Sequence, residues 1–288
     1  MGRKYKKIQE TKKMTFYSPL RYPGGKGKLA NYFKLIFEKD SLNRGIYVEP
    51  YAGGASIALT LLIEGYAENI IINDIDRSIF AFWYSVLNYT NELCNLIKKT
   101  PVTIAEWHKQ KTIQKNIFNV DILSLGFSTF FLNRTNRSGI LNAGPIGGYD
   151  QSGKWKINAR YNKKALIRRI KQIAKYKSKI ELYNLDAIKL IKLLKNRLSN
   201  KTLFYLDPPY YKNGKKLYLN YYLGEDHKKI LVEINTINKQ KWIITYDDVE
   251  QIRKLYSNKK QINYNLTYSA GKSKKGNELM IFSDNLDS

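Results

Sequence analysis

The feature that most constrains this chain is one short run and the way it ends. Thr202-Leu203-Phe204-Tyr205-Leu206 reads as an apolar strand, and it passes directly into Asp207-Pro208-Pro209-Tyr210. Consecutive prolines carry no N–H and lock φ, so a strand entering them must stop. The chain holds seven prolines, and at about 5% usage an adjacent pair is expected about once in 400 positions. An apolar strand with a rigid acidic exit belongs at the mouth of an α/β sheet, where strand ends meet ligands.

Other segments supply the rest of such a sheet. Gly45 to Pro50 reads as a short buried strand, Tyr51 to Ser56 as a turn, Ile57 to Ile63 as a helix, and Asn69 to Asp74 as a second strand. Strand, glycine turn, helix, strand ending in an acid is the opening of a doubly wound sheet. Ile180 to Asn184 and Lys241 to Tyr246 add strands, and Ile262 to Tyr268 with Glu278 to Phe282 form a terminal strand pair around the loop 269–277. Helices are expected over Lys28–Phe37, Lys163–Tyr176, Ile188–Leu198 and Asp226–Ile237. The β-α rhythm breaks across residues 84–176, where a glycine-rich loop is expected from Asn133 to Asn162. This predicts a catalytic body from residues 1–83 and 177–288, with 84–176 as an inserted, mainly helical and loop module.

Charge narrows the partner. Fifty Lys+Arg against 24 Asp+Glu leave +26 on 288 residues, and such a field points to a polyanion, most simply nucleic acid. One cysteine, Cys94, excludes an internal disulfide framework. With it, His108 and His227 cannot build a Cys/His zinc site, so no metal is expected. No apolar run reaches the roughly 18–20 residues of a membrane span. The basic start lacks the apolar stretch of a secretory signal, so a cytoplasmic protein without membrane contact is expected. Residues 1–15 carry six bases and one acid and read as an arm that either touches phosphates or is merely solvated.

Three places carry chemistry. Glu49-Pro50-Tyr51-Ala52-Gly53-Gly54-Ala55 sets glycines after a buried strand, where backbone can approach a ligand and helix amides are free. Glu49 would repel a pyrophosphate but can hold an ammonium, which favours an amino-acid-bearing cofactor over a dinucleotide. A plain packing turn is the competing explanation. Asp74, 21 positions after Gly53, stands where nucleoside-binding sheets place an acid on ribose hydroxyls. Asp207 and the Pro208 carbonyl offer two acceptors at one point, matching the two hydrogens of an exocyclic amine, and Tyr210 can stack on the ring bearing that amine.

Taken in order, Arg21-Tyr22-Pro23-Gly24-Gly25-Lys26, Glu49-Pro50-Tyr51-Ala52-Gly53-Gly54, Asn73-Asp74 and Asp207-Pro208-Pro209-Tyr210 resemble the Dam-like, alpha-group DNA adenine-N6 methyltransferases. The resemblance covers residues 18–83 and 177–288, with the intervening part where that family places its target-recognition domain. It implies a Rossmann-like seven-stranded sheet with a reversed last strand, and S-adenosylmethionine as cofactor. It implies that Tyr22 and Lys26 help enclose the cofactor, that Glu49, Ala52, Gly53 and Gly54 face its methionine part, and that Asp74 binds its ribose. Asp186 would face its adenine, and Asp207, Pro208, Pro209 and Tyr210 form the catalytic motif, with Asp207 also at the cofactor. The turn reads Ala-Gly-Gly-Ala where relatives often have Gly-x-Gly. The implied reaction is methyl transfer to adenine N6 in duplex DNA after the base is flipped out of the stack.

Asn133-Arg134-Thr135-Asn136-Arg137 is expected to meet DNA, since Arg and Asn read base edges and bind phosphates; the alternative is a loop bonded to its own backbone. Arg168 and Arg169, on a basic helix, are expected at phosphates. Trp155 and Tyr161 are expected in the core. Competing functions are RNA adenine methylation, a nucleic-acid-binding protein with an inactive methyltransferase fold, and a dinucleotide oxidoreductase, the last disfavoured by Glu49 and the paired prolines. A monomer is expected, with a dimer as the alternative, and double-stranded DNA as partner; whether a cognate restriction endonuclease also exists is left open by the sequence.

Overall fold

The structure is a computed structural model and describes residues 15–21, 26–211, 224–268 and 274–286. Its strands are β1 (Gly45–Glu49), β2 (Ala67–Asn73), β3 (Ile180–Tyr183), β4 (Thr202–Leu206), β5 (Lys241–Asp247), β6 (Gln261–Tyr268) and β7 (Lys274–Phe282). They form one sheet in the order β3-β2-β1-β4-β5-β7-β6. The first five run parallel, and β7 lies antiparallel to both its neighbours. This is a Rossmann-like α/β sheet with one reversed strand.

Alternation along the strands sorts the core into two layers. Tyr47, Ile70, Ile72, Leu203, Tyr205 and Ile243 face one side, and Val48, Ile71, Phe204, Leu206, Trp242 and Ile244 face the other. The first layer is covered by α1 (Ala30–Lys39), α2 (Ser56–Ile63) and α3 (Arg77–Asn88), and is extended by α4 (Thr90–Lys99), α5 (Ile104–Lys115), α6 (Ile122–Thr135) and α7 (Lys163–Ala174). The second is covered by α8 (Ala187–Leu194), α9 (Gly224–Ile234) and α10 (Glu250–Leu255). Each buried aliphatic or aromatic side chain contributes about 1.5–3 kcal/mol, against about 0–1 kcal/mol for an exposed ion pair. Burial, not the charged surface, therefore holds the fold.

The structure departs from the sequence reading in three places: the start of α1, the segment from Asn133 and the exposure of Trp155. A 3-10 turn over Lys26–Leu29 precedes α1, which begins at Ala30. The expected loop from Asn133 is helical through Thr135, because Phe130, Phe131 and Leu132 bury and carry α6 forward. Residue 83 lies inside α3, and helices from residues 84–176 share one apolar cluster with the sheet. Trp155 is 64% exposed, not core, whereas Tyr161 is buried. The basic arm over residues 1–14 lies outside the described residues, and no helix among the described residues is long and apolar enough to cross a membrane.

Candidate active site

The sheet order changes direction between β1 and β4, and in such sheets ligands bind outside the carboxyl ends of the strands at that switch. Glu49 ends β1 and Asp207 follows β4 there. Glu49 is 4% exposed. Its Oε1 accepts from the Tyr47 hydroxyl at 3.0 Å, and its Oε2 is buried with no hydrogen-bond partner among the described residues. Burial, with the Asp207 charge adding, pushes its pKa up to about 8. A buried carboxylate oxygen without a donor is costly; the raised pKa meets that cost with a proton, in a position that a cationic ligand would also suit.

The turn after Glu49 is held by the next strand. Ala52 N donates to the Asn73 carbonyl at 2.8 Å, and Gly53 N donates to Asp74 Oδ2 at 2.9 Å. Gly53 has φ +46°, a backbone state that glycine tolerates. The Trp83 indole donates to the Gly53 carbonyl. Ala55, itself at φ +46°, precedes helix α2 with no side-chain cap; the Ala58 amide is directed at Glu49, and the amides before it in the first turn are placed for a ligand. Asp74 anchors this turn: its Oδ1 also accepts from Asp76 N at 3.0 Å, and burial with the Asp76 charge lifts its pKa to about 7. Asn73, absent from the expected cofactor residues, ties the strand ends together. Its amide donates to the Pro50 and Leu185 carbonyls and accepts from Leu185 N. Asp186 Oδ1 caps α8 through Ile188 N and Lys189 N.

Across the switch, Asp207 Oδ1 accepts from the Thr245 hydroxyl at 2.8 Å and lies 3.4 Å from Lys26 Nζ. Pro208 and Pro209 are buried. Tyr210 is 6% exposed, and its hydroxyl donates to Glu278 Oε1 at 2.9 Å. Lys26 is buried; burial opposes its charge, but Asp207 and the tyrosines around it outweigh that and hold its pKa well above the usual value. Tyr22 lies outside the described residues. Thr245, Tyr264 and Glu278 also join the site. For Glu278 a signal existed in the sequence, an acid set against the apolar run of a strand. No group of three His, Cys, Asp or Glu able to hold a metal occurs among the described residues.

The expected DNA-facing residues divide. Asn133 is buried, with its Oδ1 accepting from Arg21 N at 2.7 Å and its amide donating to the Arg21 and Gly139 carbonyls. Asn136 is buried, donating to the Ile140 and Leu141 carbonyls and accepting from the Trp107 indole. Both amides are committed to the frame, as the alternative of a segment bonded to backbone has it, rather than held out toward a base. Gly139 belongs to that frame, since a Cβ there would stand 2.4 Å from the Arg21 carbonyl. Arg134 is partly buried and donates to the Arg160 carbonyl. Desolvation and the neighbouring Arg21, Arg169 and Arg160 lower its pKa to about 10. Arg137 and Arg168 are exposed, and Arg169 donates to the Ser18 carbonyl at 3.0 Å.

The geometry joins a turn suited to a cofactor with an acceptor held by lysine and tyrosine, and comparison with known proteins bears on what the pair does. No curated protein matches the chain. Among solved structures it is similar to a candidate RNA methyltransferase from Pyrococcus horikoshii, at 9% identity over 92% of this chain and 87% of that one, with a TM-score of 0.43. It is also similar to an S-adenosylmethionine-dependent methyltransferase from Agrobacterium tumefaciens, at 8% identity over 88% and 61% of the two chains and a TM-score of 0.43. An rRNA methyltransferase from Streptomyces viridochromogenes aligns at 11% identity over 92% and 87%, with a TM-score of 0.37. Likeness at this level says nothing about substrate. The model of one sequence family matches residues 22–270, which contain Lys26, Glu49, Asp74, Asp207, Tyr210 and Thr245 but not Glu278, and on that match the chain belongs to the D12 class of N6 adenine-specific DNA methyltransferases.

Proposed function

We propose that this protein methylates the N6 amine of adenine in duplex DNA after the target base leaves the stack. Membership of the family makes it an adenine-specific methyltransferase with S-adenosylmethionine as cofactor. The described residues fit that cofactor. Glu49 Oε2, buried without a donor, suits its ammonium, the uncapped start of α2 suits its carboxylate, and Asp74 suits its ribose. Asp186 is proposed at its adenine through the carboxylate oxygen that does not cap α8. When bound, the cofactor supplies an electrophilic methyl group.

The chain's own residues address the amine. Adenine N6 is a weak nucleophile because its lone pair is delocalised into the ring. Asp207 and the Pro208 carbonyl would accept hydrogen bonds from its two N–H groups and favour a pyramidal nitrogen, which sheds one proton once methylated. Alignment and charge stabilisation then lower the barrier. Tyr210 offers a ring face to the extruded base, and stacking of this kind is worth about 1–3 kcal/mol. Arg134, Arg137, Arg168 and Arg169 are proposed to meet DNA, and a DNA-acting enzyme of this kind works in the cytoplasm. The observation that carries the reading is the placement of Glu49 and Asp207 at the carboxyl ends of the paired parallel strands β1 and β4, on the two sides of the switch.

The deciding experiment is labelled methyl transfer to duplex DNA, single-stranded DNA and RNA, with nucleoside analysis of the product. N6-methyladenine in duplex DNA is expected. Modification of RNA alone, or of cytosine, would overturn the proposal.

A further inference from the structure

Glu278 is the acid with no place in the motifs. It sits in β7, opposite Asp247 of β5 and Tyr264 of β6 in the strand register, and is 1% exposed. The residues that follow it, Leu279 to Phe282, are all buried and apolar. A carboxylate in such a strand costs several kcal/mol unless it is paired. Here both oxygens are used. Oε1 accepts from the Tyr210 hydroxyl at 2.9 Å, and Oε2 accepts from Lys26 Nζ and from the Tyr264 hydroxyl, the latter at 3.2 Å. Lys26 Nζ is 3.4 Å from Asp207 Oδ1. One buried cation thus stands between two carboxylates, with Tyr210, Tyr264 and Tyr205 around it and Glu49 on the neighbouring strand end.

We propose that Glu278 is a positioning residue that neutralises Lys26 and tethers Tyr210, so that Asp207 keeps its full strength as an acceptor for the substrate amine. The inference rests on the methyltransferase reading above. Its logic is a local charge count. With Glu278 ionised, Lys26 is already matched, and Asp207 retains a net negative charge toward the substrate. Without that charge, Lys26 pairs with Asp207 alone and draws it from the amine. The Tyr210 bond adds a steric part: it fixes the ring plane against which the base stacks.

A double-mutant cycle tests this, with single-turnover rates at saturating S-adenosylmethionine. Glu278→Gln keeps the shape and an acceptor for Tyr210 but removes the charge. It is expected to slow methyl transfer by about a hundredfold, the scale of a small misplacement of a reacting group, with cofactor affinity little changed and the melting temperature lowered by the loss of a buried pair. Adding Lys26→Met removes the cation that would otherwise pair with Asp207 alone, and the double variant is expected to be faster than Glu278→Gln alone. A purely structural Glu278 would give a double variant that is slower still, and that result overturns the proposal. Glu278→Asp keeps the charge in a shorter side chain and is expected to outpace Glu278→Gln; the reverse order would show that shape, not charge, matters. Should the Gln variant not fold, the Asp variant decides by itself, a loss as large as that of Asp207→Ala counting against the proposal. Wild type is run alongside. Failure of wild type to methylate adenine removes the methyltransferase reading, whereas an active wild type with a fully active Glu278→Gln removes only this inference.

Discussion

The corner at the switch and the Asn-Arg segment of the inserted region carry the same kinds of polar side chain and use them oppositely. At the corner, Glu49 Oε2 is buried with no protein donor, and no hydrogen bond reaches Asp207 Oδ2 from the described residues. In the Asn-Arg segment, Asn133 and Asn136 have both amide hydrogens and the carbonyl oxygen engaged. A buried polar group without a partner is a cost the fold accepts only where something else repays it. Gln110, Tyr161 and Thr202 also bury a polar atom without a partner among the described residues. It is therefore the position of Glu49 at a strand end beside the switch, together with its open oxygen, that marks the ligand site, while the saturated amides belong to the frame.

The sharpest break of this comparison is expected at Asp207. Asp207→Ala should reduce methyl transfer by at least about a hundredfold, the scale of losing one preorganised transition-state hydrogen bond. Cofactor binding by calorimetry should survive far better than turnover. Transfer at the wild-type rate would mean the amine is held elsewhere. Asp74→Ala is expected to come next, weakening cofactor binding about tenfold to a hundredfold, as expected for hydrogen bonds to a charged group worth about 1.5–3 kcal/mol. Part of that loss passes through Gly53, whose N–H it holds.

Asn133→Ala and Asn136→Ala should behave differently from both. Each strands buried backbone carbonyls, at about 1–3 kcal/mol per unsatisfied group, so each should lower the melting temperature clearly. Arg137→Ala, on an exposed side chain of the same segment, should leave stability within about 0.5 kcal/mol while changing DNA discrimination. A stable Asn133→Ala protein with altered site preference would return that residue to the reading surface.

The contrast also explains what the sequence disclosed. The strand ends were legible because order along the chain and apolar runs decide which acids stand at the carboxyl edge of a parallel sheet. Glu49, Asp74 and Asp207 needed no knowledge of distant contacts. Asn133 was not legible in this way, because its partner Arg21 is 112 positions away, and composition cannot separate an amide facing DNA from one facing backbone. Glu278 lies between these cases. An acid in an apolar strand is a visible anomaly, but its meaning depends on Lys26, 252 positions distant. Asp186 shows a further limit, since one residue serves as a helix cap while remaining placed for a cofactor role.

The corner should respond to pH in a defined direction. Glu49 has its pKa raised to about 8 from an ordinary carboxylate value near 4.5, so the folded protein without cofactor holds that proton at neutral pH. A raised acid pKa means the folded state binds the proton more tightly than the unfolded chain does, so this group's contribution to stability falls as pH rises between the two values. Cofactor affinity should move the other way, rising with pH toward about 8, because the ammonium needs the ionised carboxylate. Asp74, raised to about 7, adds in the same sense. Calorimetry in buffers of different ionisation enthalpy should show proton release on binding, and Glu49→Gln should remove most of it. Binding without proton release would place the ammonium elsewhere.

The smallest expected effect separates two adjacent arginines of α7. Arg168 is exposed, while Arg169 is partly buried and donates to the Ser18 carbonyl, with burial and the neighbouring Arg168 lowering its pKa. If Arg168 acts only on phosphate, Arg168→Ala should weaken all duplexes alike and reduce the slope of log affinity against log salt by about one. Across a fourfold change in salt that amounts to about threefold in affinity, with no change in melting temperature. Arg169→Ala should give a similar salt effect together with a loss of stability, because it also releases the Ser18 carbonyl that closes the N-terminal segment onto α7. Salt titrations on two unrelated duplexes, paired with thermal melts, resolve the two. Equal melting temperatures for both variants would place Arg169 with Arg168 as a surface charge; a sequence-dependent loss for Arg168→Ala would make it a reader of bases.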